Sequence, residues 1–391
     1  MKTSEVLKGM IKKLHDGASV DDVKGEFRKH FKDVPAQEIA DAEQELINEG
    51  YTVEEIQTLC DVHATLFENR VQIEVKSKEL GHPLHIFKEE NKGLLDFLDN
   101  NFEGRFEEYQ KHPKQEKEKI LQALKQLSKV DVHYSRKENL LFPFLEKAGV
   151  TAPPKVMWGV DDEIRAFLKA SLEAVAEDRV GDATESIKKA LEQIRSMMTK
   201  ENDILSPLLA KHIDAQGWKL VAQESAHFGY VFTGDRENAS PSDAVAWLKK
   251  GSAAVEPTND APIQLPSGFF NVKELTTLFN SLPCDITFVG ADDKVHYFSE
   301  SKDRVFPRTR TIIGREVSDC HPPKSLDRVT AIVEDFKAGK KDSEIFWIKM
   351  GESFVLIRYF ALRDENGTYL GVLEVSEDIA PLRALEGEKR L

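Results

Sequence analysis

The last third of the chain carries a succession of strand and turn signals. Alternating strands flank the sequence DENG at 364–367, which is a strong hairpin signal. Two shorter strand-like runs precede them, at 284–289 and 295–299, joined by a turn over 291–294. A helical stretch at 326–337 separates these runs from the long strands. This order predicts an antiparallel sheet with a helix between its two halves.

The connection between these halves contains FPRTRTIIGR at 306–315 and CHPPKS at 320–325. With these motifs, the order of elements over roughly 271–385 resembles a PAS domain. Such a domain encloses a small cavity between a five-stranded sheet and short helices. The resemblance implies a sensor with a small ligand in its cavity, and it favours a regulator over an enzyme. The loop of flavin photoreceptors is not present, so light sensing is not expected.

Several residues of this region are candidates for holding a cofactor or ligand. They are His296, Arg308, Arg310, Cys320 and His321. Thiolate and imidazole are ligands of haem iron, so Cys320 and His321 are the haem candidates. The two arginines favour an anionic ligand. The alternatives are a rigid Pro-Pro turn at 320–323 that starts the next helix, and arginines that only pair with neighbouring acids.

The strands between 344 and 362 are apolar on both faces. Ile345 and Trp347 alternate with Phe346 and Ile348. One face is expected to line the cavity, and the other is expected to be covered by a helix, the bundle or a second subunit. The sequence therefore predicts a homodimer that forms through the PAS sheet.

Composition narrows the possible partners. At 391 residues, the chain is long enough to form two or three domains. Its formal net charge of −14 makes it too acidic for a broad surface that binds nucleic acid or an anionic membrane. Its three cysteines are widely spaced, which fits a reducing cytosol. The first residues lack a signal-peptide core, and no run approaches a membrane span. We expect a cytoplasmic protein with protein or small-ligand partners, without nucleic acid or membrane.

The first two thirds of the chain have helical periodicity. Apolar stripes between 4 and 76 predict a small helical domain, and long helices with short breaks between 82 and 232 predict an antiparallel bundle. The expected fold class is multidomain α plus α+β: a small helical domain, an antiparallel four-helix bundle, then a five-stranded antiparallel sheet. The predicted segments are an N-terminal helical domain 1–76, a bundle 77–232, a linker 233–268 and a PAS domain 269–391.

The bundle contains a weak internal repeat. HYSRKENLLFP at 133–143 and MMTKENDILSP at 197–207 both close with Leu-x-Pro. With ENKGLL at 90–95 and DDEIR at 161–165, the segment resembles, over about 84–212, the hemerythrin-like (HHE) cation-binding domain. That family is a four-helix bundle with a non-haem di-iron site. A helical domain of unknown function commonly precedes it, and LCDVHA at 59–64 is similar to that domain.

The resemblance implies a His and a Glu four residues apart on inward helix faces, and this chain departs from that pattern. The corresponding positions hold Asn91, His133, Lys137, Asp161, Met197 and Glu201. Because Lys137 stands where a bridging Glu belongs, its ammonium is expected to replace the metal charge and to pair with Glu201 and Asp161. The alternatives are the ordinary di-iron site of the family and a single metal on His133, Asp161 and Glu201. Glu138 is a further candidate ligand, although an α-helix places it about 140° around from His133.

A second set of candidate metal ligands lies at and before the start of the bundle. Its members are Cys60, His63, His82, His85 and Glu89. Residues three and four apart share a helix face, and thiolate, imidazole and carboxylate suit zinc, iron or haem. The alternative gives these residues structural roles, with His82 as the cap of a helix and Cys60 and His63 packed in a core.

The sequence thus predicts a non-enzymatic sensor that responds to a metal, redox state, diatomic gas or small ligand. No nucleotide motif is present and no output domain follows the sheet, so we expect a separate output protein. Two alternatives stay open. One is an iron- or haem-dependent oxidoreductase or iron-handling protein, and the other is a metal-free structural adaptor.

Overall fold

The chain forms two compact units, Met1–Ser252 and Ala253–Leu391. The computed structural model describes residues 3–16, 18, 22–23, 42, 44–46, 48–51, 81–234, 240–249, 262–302 and 304–388. Over these residues, no helix is both long and apolar enough to cross a membrane.

The described part of the first unit is helical. Its helices are α1 (Thr3–His15), α2 (Pro83–Phe97), α3 (Glu103–Lys111), α4 (Pro113–Leu127), α5 (Val130–Arg136), α6 (Phe142–Lys147), α7 (Ala152–Ala176), α8 (Val180–Lys200), α9 (Ser206–His212), α10 (Ala215–Phe228) and α11 (Pro241–Lys249). Between 83 and 212 they form four consecutive helical segments, which we call rods, with short connections. The rods are 83–111, 113–147, 152–176 and 180–212. Such connections make neighbouring rods antiparallel, which gives a four-helix bundle.

The apolar periodicity of each rod explains why it packs inward. In α8, Ala183, Ile187, Ala190, Ile194 and Met197 follow one another at steps of three or four residues, and all are buried. Burial of each such isoleucine contributes about 1.5–3 kcal/mol, so this stripe fixes the orientation of the helix. Proline stands at the start of several helices, where its missing amide hydrogen is not needed.

Two rods widen into a π-helical turn just before a proline. These turns are Lys137–Leu141 and Glu201–Leu205, and a third lies at Leu98–Phe102. Pro143 and Pro207 cannot donate to the fourth preceding carbonyl and their rings crowd it. The amides of Phe142 and Ser206 instead donate to the carbonyls of Lys137 and Glu201, five residues back. The sequence repeat is therefore also a structural repeat.

The second unit contains an antiparallel sheet. Its elements are β1 (Ile263–Leu265), β2 (Gly268–Phe270), α12 (Val272–Asn280), β3 (Asp285–Gly290), β4 (Val295–Phe298), α13 (Pro323–Lys337), β5 (Ser343–Met350), β6 (Ser353–Arg363), β7 (Tyr369–Asp378) and α14 (Ala380–Arg383). The five strands β4-β3-β7-β6-β5 pair in this order, and every pair is antiparallel. Short 3₁₀ turns lie at Arg310–Ile312 and Val317–Cys320.

The predicted hairpin and the predicted helix are both present. Gly367 has a φ of 82° in the turn between β6 and β7, a conformation that glycine adopts without strain. The side chain of Asp364 accepts from the amides of Asn366 at 2.9 Å and Thr368 at 2.8 Å, which closes the turn. The described part of the predicted linker 233–268 contains α11, close to the one or two helical turns that the sequence allows at 244–250, and the short strand β1.

Candidate functional sites

Five ionisable side chains meet in the core of the bundle, and we call them the bundle cluster. They are Glu90, His133, Lys137, Asp161 and Glu201. Each of them is at most 1% exposed. Burial of an ionised group is costly unless it is paired and hydrogen-bonded, so the contacts inside the cluster decide whether the bundle is stable.

Lys137 lies at the centre of the bundle cluster. Its Nζ donates to Asp161 Oδ1 at 2.9 Å and to Glu201 Oε1 at 2.5 Å. The ammonium also lies 4.4 Å from the centre of the Tyr134 ring. Burial disfavours its charge, but the two carboxylates outweigh this effect and raise the pKa of Lys137 above its usual value. Lys137 is therefore an ammonium at neutral pH.

His133 bridges two carboxylates. Its Nδ1 lies 2.8 Å from Glu90 Oε2, its Nε2 lies 3.1 Å from Glu201 Oε2, and its ring stacks on Phe87 with a centroid distance of 4.2 Å. Burial opposes the imidazolium charge, but Glu201 and Glu90 together raise the pKa of His133 above 6.5. In that state both ring nitrogens donate, and neither has a free lone pair.

Glu201 has no unused oxygen. Oε1 accepts from Lys137, and Oε2 accepts from His133 and, at 2.9 Å, from Asn91 Nδ2. Burial alone would raise the pKa of Glu201, but Lys137 and His133 lower it to about 2. The carboxylate is therefore ionised throughout the physiological range.

The Glu90 end of the cluster is fixed by the segment after α10. Arg136 makes a two-pronged pair with Glu90, with Nη1 at 2.9 Å from Oε1 and Nη2 against Oε2, and it also donates to the Gly229 carbonyl at 3.0 Å. The Val231 amide donates to Glu90 Oε1 at 3.0 Å. Against the effect of burial, Arg136 and His133 lower the pKa of Glu90.

The other end of the cluster reaches toward the surface through Arg165. Its guanidinium donates to both oxygens of Glu138, at 2.9 and 3.0 Å, and to Asp131 at 2.6 Å. Burial raises the pKa of Asp161 well above its usual value, because Lys137 only partly offsets it and Glu138 adds repulsion. Burial also raises the pKa of Glu138, although the nearby Arg165 guanidinium opposes this effect.

The second unit contains a cavity of about 270 Å³ between the sheet and α13. Its wall is mainly apolar, with Val289, Phe346, Ile357 and Val372 from the sheet and Ile332 from α13. The alternation of β5 and β6 places Phe346 and Ile357, which are cross-strand partners, on one face of the sheet.

A small set of polar side chains completes the wall. They are His321, Ser325, Arg328, Tyr359 and Glu374. Tyr359 and Glu374 are cross-strand partners. Burial and the nearby Glu374 raise the pKa of the Tyr359 hydroxyl, so that it remains a hydrogen-bond donor.

The tautomer of His321 follows from its contacts. Its Nδ1 lies 2.8 Å from the Val317 carbonyl, which can only accept. Burial lowers the pKa of His321, although the Val317 bond opposes this. The ring is thus neutral with its proton on Nδ1, and Nε2 is an acceptor.

Comparison with protein families resolves the chain into three parts. A family of unknown function (DUF438) matches residues 7–72, the hemerythrin HHE cation-binding domain matches 82–209, and a PAS domain matches 275–380. The chain is a DUF438–hemerythrin–PAS protein. The three-part architecture and the fold class expected from the sequence are confirmed. The PAS match contains the cavity, and the hemerythrin match contains the whole bundle cluster.

Some solved structures are similar to parts of this chain. A C-terminal domain from Streptococcus mutans is 36% identical, over 32% of this chain and 98% of that one, with a TM-score of 0.31. A PAS domain from Colwellia psychrerythraea is 15% identical, over 28% and 98%, with a TM-score of 0.23. A sensory box sensor histidine kinase from Vibrio cholerae is 17% identical, over 27% and 88%, with a TM-score of 0.21. No curated protein matches the chain.

The hemerythrin match implies a bound cation, and the residues of this bundle do not fit one. In the described part of the chain, no three His, Cys, Asp or Glu side chains are placed to hold a metal ion. Lys137 Nζ occupies the space between Asp161 and Glu201, and both nitrogens of His133 already contact carboxylate oxygens. Met197, at another expected ligand position, is buried in the apolar core.

The candidate ligands at the start of the bundle are not part of the cluster. His82 is the N-cap of α2, where its Nδ1 accepts from the Leu84 amide at 3.2 Å, as the structural alternative expected. Glu89 pairs with Lys92 at 2.5 Å. His85 is half-buried, and no metal-holding group forms around it in the described residues. Cys60 and His63 lie outside the described residues.

Of the candidates in the PAS domain, only His321 lines the cavity. His296 is half exposed on β4, with Nε2 at 3.0 Å from Asp292. Cys320 packs against the apolar core. Arg308 approaches Glu374 to 3.9 Å, and Arg310 lies in a 3₁₀ turn. Cys320 and His321 are therefore not placed to bind one haem together.

Sequence reasoning missed Glu90 and Arg136 in the bundle and Tyr359 and Glu374 in the cavity. Glu90 and Arg136 each lie one residue before a position that the sequence pattern did select, Asn91 and Lys137. Tyr359 and Glu374 carried a usable signal, because a polar side chain on a cavity-facing strand position needs a partner.

Proposed function

We propose that this chain is a cytoplasmic sensory protein whose PAS domain holds a small, mainly apolar ligand and signals to a separate output protein. The observation that carries the proposal is the PAS cavity of about 270 Å³. Ligand pockets combine apolar walls with a few placed polar groups, and this cavity has both. Its volume is near the lower end of the roughly 300–1,000 Å³ typical of such pockets, which favours a compact molecule over a haem.

The polar groups of the cavity favour a ligand that donates hydrogen bonds. His321 presents Nε2 as an acceptor, and Glu374 adds carboxylate oxygens. Tyr359 can donate or accept. A compact aryl or alkyl amine or alcohol satisfies these acceptors. A carboxylate would face Glu374 with like charge, and the Arg328 guanidinium of the same wall already lies over the Phe346 ring.

Binding of phenyl compounds of similar size and different polarity tests this proposal. Calorimetry on the full chain compares benzylamine, benzyl alcohol, toluene and benzoate. We expect the amine and the alcohol to bind more tightly than toluene, and benzoate to bind most weakly, because only the first two supply donors. Each hydrogen bond accounts for about 0.5–1.5 kcal/mol.

Two matched substitutions locate the binding. Val329 lines the cavity, so Val329→Phe fills it and should abolish binding. Val245 is an exposed valine of α11 outside the cavity, so Val245→Phe should leave binding unchanged. Equal binding by all four compounds, or none by any, would contradict the sensory proposal and favour a structural adaptor.

We also propose that two copies associate through the outer face of the PAS sheet. Ile345 and Trp347 project from β5 on the face opposite the cavity, and Trp347 is 62% exposed. The amphipathic helix α12 of the same unit buries none of its residues. A second copy supplies a complementary apolar surface to both, in a symmetric contact. Light scattering should give a dimer mass for the full chain and a monomer mass for Trp347→Glu; a monomeric wild type would refute the contact.

A further inference from the structure

We infer that the Lys137 ammonium stands in for the bound cation of the hemerythrin-like bundle, so that the bundle needs no metal and becomes cation-binding only when Lys137 is removed. The inference rests on the positions of the side chains in the bundle core. It is independent of the ligand proposed for the PAS cavity.

The donor atoms around Lys137 are those that a cation requires. Asp161 Oδ1 and Glu201 Oε1 both point at its Nζ, at 2.9 and 2.5 Å. His133 Nε2 lies 3.1 Å from Oε2, the other oxygen of the Glu201 carboxylate. Two carboxylates and an imidazole are a common ligand set for divalent transition metals.

In the wild-type chain these atoms are already used. The ammonium is fully buried and fills the point where the two carboxylates converge. Both ring nitrogens of His133 already lie against carboxylate oxygens, 2.8 Å from Glu90 Oε2 and 3.1 Å from Glu201 Oε2. Arg136 and Arg165 add positive charge at either end of the network, which further opposes a divalent cation.

Removal of the Lys137 side chain changes both the space and the charge. Lys137→Ala leaves a cavity where the methylenes and the ammonium lay, next to Asp161 and Glu201, which lose their buried counter-charge. A divalent cation then restores the charge and enters the freed space, with His133 beside it. Lys137→Met removes the same charge but fills the space with a side chain of similar length.

Cobalt(II) is the probe for the full-length protein, because its visible absorption reports ligand geometry. Wild type and Lys137→Met should give no cobalt spectrum from the bundle, whereas Lys137→Ala should bind cobalt at least about tenfold more tightly than either. Added cobalt should raise the melting temperature of Lys137→Ala alone. Glu201→Gln in the Lys137→Ala background should remove both gains, which locates the metal at the cluster.

The wild-type chain keeps the inference falsifiable even if Lys137→Ala does not fold. Chelator treatment should leave the amide hydrogen exchange of residues 133–141 and 197–205 unchanged in wild type. Metal that is retained at a constant ratio by wild type, and lost in Glu201→Gln, would overturn the inference. A folded Lys137→Ala that gains no cobalt affinity would also overturn it.

Discussion

Lys137 and Glu201 each open a π-helical turn at the equivalent position of two rods, and the Lys137 ammonium donates to Glu201 across 2.5 Å. Both turns precede a proline, so the same backbone device brings both charges into the core. The pair is fully buried. Breaking one partner of such a pair leaves an uncompensated charge, which makes the pair a sensitive test of the bundle.

Lys137→Met should lower the free energy of unfolding of the bundle by about 3–5 kcal/mol, because Asp161 and Glu201 lose their buried partner. Denaturant unfolding monitored by hydrogen exchange in the bundle measures this. The matched control is Lys189→Met, since Lys189 pairs with Glu185 on the surface of α8 and its loss should cost less than about 1 kcal/mol.

The double variant Lys137→Met/Glu201→Gln separates a coupled pair from two independent sites. We expect the double loss to be smaller than the sum of the single losses by roughly 1–3 kcal/mol, because Gln no longer buries an unpaired charge. Strict additivity would show that Lys137 and Glu201 do not stabilise each other.

The internal repeat made the Lys137 contact predictable. Residues at equivalent positions before the two Leu-x-Pro motifs were expected to lie at the same level along the bundle axis. Side chains of opposite charge at that level were therefore expected to form a pair. Glu90 was not predicted, because a single-face argument selects either Glu90 or Asn91, which lie about 100° apart on a helix. The structure uses both, since Glu90 contacts His133 and Asn91 contacts Glu201. The assignment of such neighbours needs the packing of all four rods.

In the PAS domain, alternation along β5 and β6 predicted that one face lines the cavity, but it did not predict which of the two apolar faces does so. Phe346 and Ile348 line the cavity, and Trp347 faces outward. The role of His321 was not predictable in the same way. Its orientation depends on the 3₁₀ turn Val317–Cys320, whose carbonyl at Val317 takes the Nδ1 proton. A motif shows the residue types, whereas the turn decides which nitrogen faces the cavity.

The stability of the bundle should fall as the pH rises above neutrality. His133 has a folded-state pKa above its unfolded value of 6.5, so its contribution is complete below pH 6.5 and is lost as the pH rises through the folded pKa. The groups that face its ring are Glu90, Glu201, Phe87 and Tyr134. Unfolding measured from pH 6 to 9 should show a decline that is smaller in His133→Gln. A difference between the two proteins that does not change with pH would contradict the assignment.

Gly93 should not tolerate a larger side chain. A Cβ at this position of α2 would lie 1.7 Å from the Phe232 carbonyl oxygen, and Phe232 already has a φ of 57°. Gly93→Ala must therefore displace the segment that donates from Val231 to Glu90, at a cost of about 1–3 kcal/mol or more. Faster amide exchange at Val231 reports the displacement.

Gly104 is the matched control for Gly93, because it also lies in a helix but a Cβ there meets no atom within 4 Å. Gly104→Ala should stabilise the bundle by about 0.5–1 kcal/mol through the higher helix propensity of alanine. If both alanine variants had the same effect, the contact between α2 and Phe232 would not be important for stability.

The PAS domain should lose stability in acid through His321. Its folded-state pKa lies below 6.5, because burial disfavours the imidazolium, so the unfolded chain takes up a proton more readily as the pH falls below 6.5. Stability is thus complete above pH 6.5 and declines below it. Hydrogen exchange of β6 and β7 between pH 5 and 8 measures the decline, and His321→Asn, which removes the titrating ring, should flatten it. The same protonation converts Nε2 from acceptor to donor, so benzylamine, whose ammonium group can only donate, should bind less tightly at pH 5 than at pH 8 in wild type. Binding that is equally tight at both values would remove Nε2 from the ligand contacts.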